Sequence, residues 1–580
     1  MLKQLAGCVR EYKRPTILTL IFIVGEAVIE TIIPFITANL VNRIKAGASI
    51  ESVMEVGLLL IIMAAISLVC GGLAGFTCAK ASTGFAKNLR SDLFHRIQTY
   101  SFENIDKFSS SSLVTRMTTD VTNVQMAFMM LIRIAIRSPL LLIFSTVMAF
   151  VMGGKLAFVF VVVIPILAFG LLAIGKKAMP AFRSVFKKYD RLNESIEENV
   201  RGMRVVKGFS REEYEKQKFN TAADNIRKDF TKAECIVALN TPLMNLCMYI
   251  NMIVVLLVGS KLAITSGGSA LDVGQISGML TYGMQILMSL MMLSMIYVMV
   301  TMSAESAKRI CEVLEEEPSL KEPENPVMEV KDGSIEFKNV NFKYSAKAKK
   351  YALSDIDLSI RSGMTVGIIG GTGSSKSSLV QLIPRLYDVT EGAVLVGGVD
   401  VRSYDIPTLR SAVAMVLQKN VLFSGTIKDN LRWGNENATD EEITEACRLS
   451  QADEFIQTFP DKYDTYIEQG GSNVSGGQKQ RLCIARALLK KPKILILDDS
   501  TSAVDTKTDA LIRAGFKNYI PDTTKIIIAQ RIASVEDADL IIVMDNGSIS
   551  AAGTHEDLLQ SSDIYREVYE QQTKGGNENE

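Results

Sequence analysis

The sequence has little histidine and tryptophan: two His and one Trp occur among its 580 residues. Its eight cysteines include no Cys-x-x-Cys pair, and four lie in or beside apolar runs, so we interpret them as small hydrophobic side chains. Acidic and basic residues balance at 63 each, which leaves no net field to attract nucleic acid. We therefore expect no disulfide scaffold, no cysteine metal site and no nucleic-acid partner.

Two kinds of sequence follow each other along the chain. Long apolar runs dominate up to about Ala304, and charges, glycines and short alternating segments follow, as in a soluble α/β domain. The length also exceeds the usual size of a single hydrophobic core. We predict an α-helical membrane domain at residues 1–314, a linker at 315–332 and an α/β domain at 333–580.

Six apolar segments are long enough, or nearly so, to cross a hydrocarbon core, which takes about 20 residues. They are residues 16–40, 56–78, 138–152, 156–175, 236–259 and 275–303. Buried helices of a soluble protein would need a larger amphipathic shell, which this sequence lacks. The first run is too long for a cleavable signal peptide, so it should remain as an anchor among membrane lipids.

The connections between these segments alternate between short and long, and the basic residues follow the same division. Lysine and arginine number 25 in the N-terminal segment and the two long connections, against 4 in the three short loops. The positive-inside rule then places both termini and both long connections in the cytoplasm of a multi-pass protein in the cell membrane. The long connections have a helical pattern with one break each, at residues 106–113 and 202–209, suited to a short docking helix or to a solvated surface helix.

Charged residues within the membrane segments need a partner or a function, because an unpaired carboxylate is costly there. Glu26 and Glu30 lie four residues apart on one face of the first segment. They could line a substrate cavity or pair with a cation of a partner subunit, and Glu30 could lie near the outer rim. Arg133 and Arg137 precede the third uninterrupted run, which favours snorkelling at the inner interface. Eight methionines of the sixth segment suggest an adaptable surface or plain helix packing: Met279, Met284, Met288, Met291, Met292, Met295, Met299 and Met302.

A phosphate loop follows a strand-like segment at residues 365–369. The loop consists of Gly370, Gly371, Thr372, Gly373, Ser374, Ser375, Lys376, Ser377 and Ser378, and an apolar helix follows. Backbone N–H groups of such a turn face phosphates, Lys376 supplies a positive charge, and the Ser377 hydroxyl can ligate Mg²⁺. Ser375 replaces the usual second glycine, at little cost if its backbone is helical and at the expense of phosphate approach if it needs a glycine conformation.

Two further motifs support a nucleotide site. A buried-strand pattern at residues 494–497 ends in Asp498 and Asp499, as needed to hold Mg²⁺ beside a phosphate loop. Between the two motifs, a second anion-binding element opens a helix with Ser475, Gly476, Gly477 and Gln478. A domain with one phosphate loop does not need this element. Its presence is explained if two such domains face each other and each caps the nucleotide held by the other.

With these motifs and six fused spans, the chain resembles a half-subunit of the type IV ABC exporter family from about residue 10 to 570. The resemblance implies a P-loop NTPase domain with antiparallel β and helical subdomains, docking helices at the two breaks, and export, because importers usually keep membrane and ATPase parts on separate chains. It also implies adenine stacking by Tyr344 and a Mg²⁺-sensing role for Gln418, which with Ser377 and Asp498 completes the metal set. A loop after the acidic pair matches at Ser502, Ala503, Val504 and Asp505.

Departures from the family pattern lie at the catalytic positions. Asp499 stands where the family has a catalytic glutamate, one methylene longer, and Gln530 stands where it has a histidine, so positive charge is lost there. The only histidines, His95 and His555, lie elsewhere in the sequence. Val474 and Gln469 replace a commoner leucine and glutamate beside the signature element.

This pattern is similar to the degenerate-site member of a bacterial heterodimeric multidrug-type exporter. It implies that Asp499 and Gln530 act in a slow site that binds ATP and Mg²⁺, while the signature element completes the fast site of a second half-exporter subunit. Cargo would be a small amphipathic or hydrophobic substrate. Two alternatives remain: a slow homodimeric exporter, and an ATP-gated channel or regulatory membrane subunit.

Overall fold

The computed structural model describes residues 2–267, 271–345, 348–499 and 505–577. The chain divides into two compact units. The first consists of Met1–Gln98 with Ser109–Glu316, and the second consists of Thr99–Phe108 with Glu317–Glu580. A ten-residue segment between two membrane helices therefore belongs to the unit that contains the sheets.

Long helices form the first unit, because its apolar runs continue directly into charged helical segments. Pro34, Pro139, Pro165 and Pro180 lie inside these helices without ending them. The helices from the N-terminus to the end of this unit are α1 (Leu2–Gly7), α2 (Lys13–Lys45), α3 (Ile50–Gln98), α4 (Phe102–Phe108), α5 (Ser110–Thr115), α6 (Val121–Gly153), α7 (Phe158–Arg201), α8 (Met203–Gly208), α9 (Glu212–Val237), α10 (Asn240–Thr265) and α11 (Val273–Glu315). Of these, α4 falls in the second unit.

Five helical stretches are long and apolar enough to cross a membrane, by length and composition: Arg10–Lys45, Ile50–Gln98, Ser110–Phe182, Glu212–Thr265 and Val273–Glu315. The third of them contains a turn at Gly154–Ala157 that separates α6 from α7. The six predicted segments thus lie on six separate helices, and the prediction of a helical multi-pass membrane domain is confirmed.

Small residues let α6 and α11 approach closely. A Cβ atom added to Gly153 would lie 2.1 Å from Sδ of Met279, and one added to Gly278 would lie 2.7 Å from Cε of Met152. Most of the eight methionines predicted on the sixth segment do not take part in such close helix packing. Met279 is buried, whereas six others are exposed on the chain: Met284, Met288, Met291, Met292, Met295 and Met302. Helix packing within the chain therefore accounts for few of these side chains.

The first docking helix lies earlier than predicted. We expected it at residues 106–113, but the helix is Phe102–Phe108 and the serine run begins the next helix. The reason is local capping: Ser109 adopts φ 56°, and its side chain accepts a hydrogen bond from the backbone N–H of Ser112. The second short helix, α8, lies within the predicted range 202–209.

The second unit contains three sheets. Its strands are β1 (Ile335–Phe342), β2 (Leu353–Ile360), β3 (Thr365–Gly370), β4 (Glu391–Val396), β5 (Val399–Asp400), β6 (Val413–Val416), β7 (Gly425–Thr426), β8 (Tyr466–Ile467), β9 (Ile494–Asp498), β10 (Thr524–Ile528), β11 (Leu540–Asp545) and β12 (Ser548–Gly553). The six-stranded sheet has the order β12-β11-β3-β10-β9-β6 and is parallel except for β12. An antiparallel sheet, β2-β1-β4-β5, and a two-stranded sheet, β7-β8, complete the set.

Helices surround these sheets and complete the second unit. They are α12 (Lys376–Gln381), α13 (Ile406–Ala412), α14 (Ile427–Arg432), α15 (Asp440–Leu449), α16 (Asp453–Ile456), α17 (Gly476–Leu489), α18 (Thr506–Tyr519), α19 (His555–Ser561) and α20 (Asp563–Asn577). The carboxyl ends of β3, β6, β9 and β10 lie at one edge of the parallel sheet. Ligand sites of open parallel sheets form at this edge, and the predicted nucleotide residues follow these strands.

Candidate functional site

The phosphate loop connects β3 to α12. Its lysine is held by the loop itself: Nζ of Lys376 donates to the carbonyl oxygens of Gly370, at 2.7 Å, and Gly371, at 2.8 Å. The hydroxyl of Ser374 donates to Gly371 O over 2.8 Å, so the buried serine closes the turn. Space is open beside Gly371 and Gly373, where an added Cβ would meet no atom within 4 Å. The loop therefore has room for phosphate along its backbone.

Ser375 occupies a glycine conformation. Its backbone has φ 70° and ψ 25°, which lies in the left-handed region. A left-handed residue with a Cβ costs about 1–2 kcal/mol, whereas glycine adopts the conformation freely. From the sequence, the backbone at this position could be either helical or in a conformation that favours glycine. The structure has the second, so replacing glycine by serine carries a conformational cost here.

Oxygen ligands for a metal ion converge beside the loop. The hydroxyl of Ser377 donates to Oδ1 of Asp498 over 3.0 Å, which joins the start of α12 to the end of β9. Burial raises the pKa of Asp498 above its ordinary value, although the Ser377 hydrogen bond opposes the shift. Burial also lowers the pKa of Lys376, against the attraction of Asp499 and Asp498. A hydroxyl and a carboxylate are hard oxygen donors of the kind Mg²⁺ prefers, so these residues fit Mg²⁺ beside a nucleotide.

Three side chains from the ends of adjacent strands meet at Asp499. Gln418 follows β6, Asp499 follows β9 and Gln530 follows β10. The amide Nε2 atoms of Gln530 and Gln418 lie 2.7 and 3.2 Å from Oδ2 of Asp499. Asp499 itself has φ 48°. The carboxylate of Asp499 therefore accepts hydrogen bonds from two neutral amides. The side chain of Gln418 points to Asp499 rather than to the Ser377–Asp498 pair.

An aromatic cluster surrounds the predicted adenine-stacking residue. The ring of Tyr344 is perpendicular to that of Tyr387, with centroids 5.1 Å apart, and Phe342 contacts both. The hydroxyl of Tyr344 lies 2.7 Å from Oγ of Ser378, on the helix after the phosphate loop, and burial raises the pKa of this phenol. Tyr387 also reaches the short helix α4, because its hydroxyl donates to Asp106 over 2.8 Å.

The signature element caps its own helix. The Ser475 side chain accepts from the backbone N–H of Gln478 at 3.3 Å, and the Gln478 side chain accepts from the Ser475 N–H at 2.9 Å. Gly476 and Gly477 form the first turn of α17. In the part of the chain that the structure describes, no hydrogen bond joins residues 475–478 to the phosphate loop. The signature element and the phosphate loop of this chain are therefore separate structures.

Residues flanking the signature element differ in their surroundings. Val474 is buried in the hydrophobic core with Leu422 and Leu482, so an aliphatic side chain fits there. Gln469 begins a short turn, Gln469–Gly471. Farther on, Asp505 caps α18 by accepting from the backbone N–H of Thr508 at 2.9 Å, and hydrogen bonds from Thr508 lower the pKa of Asp505. Ser502, Ala503 and Val504 lie outside the described residues.

Neither histidine can replace the one missing at Gln530. His555 Nδ1 lies 2.7 Å from the Tyr565 hydroxyl, and its Nε2 lies 3.5 Å from a Glu536 carboxylate oxygen. His95 belongs to α3 and contacts Ser91 one turn earlier. The sequence-based prediction that neither histidine fills this role agrees with these contacts.

Within the membrane unit, Arg137 has a different role from the one expected. We expected it to snorkel to the inner interface, but it pairs with Glu30 over 2.5 and 2.7 Å and lies 3.6 Å from Glu26. The reason is that α6 is continuous from Val121 to Gly153, which places Arg137 in mid-helix opposite α2. A carboxylate in a medium of low dielectric constant is stabilised by a nearby positive charge. Arg137 of the same chain provides that charge for Glu26 and Glu30.

Sequence reasoning missed two residues at the nucleotide site. Tyr387 joins the Tyr344 ring to α4, and Gln572 of α20 binds the backbone at Gln530 and Ile532. No motif marks either residue. The helical spacing of Tyr565, Tyr569 and Gln572 is the available signal, because it places these residues on one face of a C-terminal helix.

A phosphate-loop ATPase unit fused to a multi-pass helical unit defines an ATP-dependent membrane transporter. Residues 16–290 match the family described as ABC transporter transmembrane region, and residues 353–502 match the family described as ABC transporter. The chain is 36% identical over 555 residues to the uncharacterized ABC transporter ATP-binding protein YfiB of Bacillus subtilis, with 96% of each chain covered. It is 33% identical over 485 residues to YknU of the same species, covering 83% of this chain and 82% of the relative.

A solved structure has the same fold. A bacterial Atm1-family ABC exporter with ATP bound matches with a TM-score of 0.82 and 24% identity, over 96% of this chain and 98% of that one. The chain belongs to the ABC transporter family. It is a multi-pass membrane protein with a cytoplasmic ATPase domain, and its activity is transport driven by ATP hydrolysis.

Proposed function

We propose that this chain is the degenerate-site subunit of a heterodimeric ABC exporter. The observation that carries the proposal is the environment of Asp499, whose carboxylate accepts hydrogen bonds from the amides of Gln418 and Gln530. Neither of these two amide side chains can carry a positive charge. The aspartate is also one methylene shorter than the glutamate of the family pattern.

These features weaken water activation. A general base must reach its water at hydrogen-bond distance, and a displacement of about 1 Å can cost on the order of 10²-fold in rate. A neutral amide also stabilises the charge that develops on a transferring phosphate less than a histidine cation does. Hydrolysis at this site should therefore be slow while nucleotide binding is retained.

The residues on which ATP binding would depend are all present in the sequence. Tyr344 would stack on adenine, the residues from Gly370 to Ser378 would hold the phosphates, and Lys376 would supply positive charge. Ser377, Asp498 and Gln418 would hold Mg²⁺, whose positive charge would offset the negative charge of the nucleotide's phosphates. The Ser377–Asp498 contact supports this assignment for two of the three, while Gln418 would have to exchange its contact with Asp499 for one with the metal.

The signature element would act on the partner. Ser475, Gly476, Gly477 and Gln478 form an exposed helix start that is distinct from this chain's own phosphate loop. In a facing pair of ATPase domains, this helix start would complete the nucleotide site of the second half-exporter subunit. Asp505, which caps α18, would lie at the same interface. The chain would then contribute to a fast site through its signature and to a slow site through its phosphate loop.

The membrane unit would move a small amphipathic or hydrophobic substrate outward. Support comes from the exposed methionines of α11, which present flexible apolar surface, and from the Glu26–Glu30–Arg137 group on neighbouring helices. Nucleotide-driven closure of the ATPase domains would be transmitted through the docking helices. Tyr387 contacts both Tyr344 and α4, so it would transmit nucleotide binding at Tyr344 to α4, the first of the two proposed docking helices.

The experiment compares ATPase rates of the purified full-length chain with and without its co-expressed partner. We expect little activity from the chain alone, and a substantial increase with the partner. Replacing both Asp499→Glu and Gln530→His should accelerate the slow site, while Lys376→Ala serves as the control without phosphate binding. Robust ATPase activity from the chain alone would overturn the heterodimer in favour of the homodimeric exporter. Currents that persist with a non-hydrolysable nucleotide, without uphill transport in proteoliposomes, would instead favour a channel.

A further inference from the structure

A single side chain of the C-terminal helix holds the backbone that carries Gln530. The amide nitrogen of Gln572 donates to the carbonyl oxygen of Gln530 over 2.8 Å, and its amide oxygen accepts from the N–H of Ile532 over 2.9 Å. Both distances are those of good hydrogen bonds. One planar amide therefore spans the loop from residue 530 to residue 532.

This loop determines where the Gln530 side chain lies. It follows β10, and the backbone N–H of Ala529 still donates to Ile368 of β3, so the loop is anchored at its start. Gln530 and Arg531 are exposed, and a short turn, Ile532–Ser534, follows. Between these anchors, the hydrogen bonds of Gln572 fix the peptide groups on both sides of Arg531. The Gln530 amide, 2.7 Å from Asp499, depends on that backbone for its position.

The helix that carries Gln572 is itself firmly attached to the domain. Tyr565 is fully buried in the hydrophobic core, and Val568 and Tyr569 pack against the same core. Tyr565 also contacts His555, which in turn approaches Glu536 just after the turn. The face of α20 that presents Gln572 is thus a fixed support for the loop rather than a loose tail.

We propose that Gln572 is a positioning residue for ATP hydrolysis at this chain's own phosphate loop. It holds the loop so that Gln530 remains on Asp499 and in reach of the nucleotide's terminal phosphate. The proposal rests on the ATPase activity of the family and on the placement of Gln530. It does not depend on the identity of the partner or of the substrate.

The test uses the full-length chain in nanodiscs, with its partner where one co-purifies, and measures single-turnover hydrolysis of labelled ATP by excess protein. The phase that disappears in Lys376→Ala belongs to this chain's own site. Gln572→Met keeps the length and helix propensity of the side chain and removes both hydrogen bonds. We expect it to slow that phase about tenfold while the affinity for ATP changes less than about twofold, because Tyr344 and the phosphate loop are untouched.

Gln571→Met is the matched control, since within the described residues the Gln571 side chain donates to Glu567 on the same helix, over 3.3 Å, and not to the loop after β10. It should leave both quantities unchanged. In a Gln530→Ala background, Gln572→Met should add no further slowing, because the residue it positions is gone. Equal rates for the two methionine variants, or a parallel fall of ATP affinity and melting temperature in Gln572→Met, would overturn the proposal in favour of a structural role.

Discussion

Tyr344 and Tyr387 stand edge to face, with ring planes at 90° and centroids 5.1 Å apart. The ring of Tyr387 therefore packs against the ring of Tyr344. Its hydroxyl is fixed by Asp106, which together with burial raises the pKa of Tyr387 and keeps it a neutral donor. Tyr387 thus contacts both the predicted adenine-stacking residue and the short helix α4.

This pair makes nucleotide affinity depend on two positions. Tyr344→Ala should weaken ATP binding about tenfold, because stacking on a base contributes roughly 1–3 kcal/mol. Tyr387→Ala should weaken it less, about threefold, through loss of support for the Tyr344 ring. Titration with a fluorescent ATP analogue measures both effects. Tyr387→Phe keeps the ring and should bind like the wild type; a loss as large as that in Tyr387→Ala would refute ring support as the cause.

Backbone strain at Ser375 predicts a stabilising substitution. Ser375→Gly should raise the free energy of unfolding by about 1 kcal/mol, because the left-handed conformation penalises a Cβ and the gain is only partly offset by the flexibility of glycine in the unfolded chain. Thermal unfolding of the detergent-solubilised protein measures the change. Ser375→Ala retains the Cβ and should give no gain. An equal gain in both variants would mean that the hydroxyl, and not the backbone conformation, is responsible.

The raised pKa of Asp498 predicts the direction of a pH effect. A carboxyl whose pKa is raised by folding contributes stability that is present below its ordinary value of 3.8 and lost as the pH rises through the raised value. Asp498→Asn should therefore melt at a higher temperature than the wild type at neutral pH. The difference should disappear at about pH 4 and below.

Asp505 provides the opposite case for comparison. Its pKa is lowered by the hydrogen bonds from Thr508, so its contribution is present above the ordinary value of 3.8 and lost as the pH falls through the lowered value. Asp505→Asn should lower the melting temperature at neutral pH. Parallel pH profiles for the two asparagine variants would contradict the electrostatic assignment.

The Arg137–Glu30 pair predicts a stability effect within the membrane unit. Arg137→Met should destabilise the chain by roughly 2 kcal/mol, because it removes the cation on α6 that pairs with the carboxylates of Glu26 and Glu30 on α2. Adding Glu26→Gln and Glu30→Gln to Arg137→Met should recover most of that loss. Unfolding in lipid nanodiscs compares the variants. Arg133→Met, one turn earlier on the same helix, is the control and should change stability by less than about 1 kcal/mol.

Periodicity and motif spacing predicted the parts of the fold that depend on local sequence. The six membrane helices follow from the lengths of the apolar runs, and the β3-loop-α12 unit follows from its glycines and lysine. The first docking helix was misplaced because Ser109 was interpreted as part of it, while its hydroxyl caps the following helix. The boundary between α4 and α5 therefore depends on a side-chain cap at Ser109, which the periodicity of apolar residues does not reveal.

Contacts between distant segments could not be predicted in the same way. Gln418, Asp499 and Gln530 meet because β6, β9 and β10 are neighbours, and a single sequence does not give strand order. The position of Gln572 depends on how α20 packs against the core through Tyr565. The predicted residues of the nucleotide site were therefore easier to name than the hydrogen bonds between them.

The reciprocal cap formed by Ser475 and Gln478 has a consequence for assembly. Because the helix start is already ordered by its own side chains, less conformational entropy is lost there when an anion binds. The N–H groups of Gly476 and Gly477 would then form a preorganised anion-binding site. In a paired transporter, the element that this subunit offers its neighbour would thus be complete before the two ATPase domains meet.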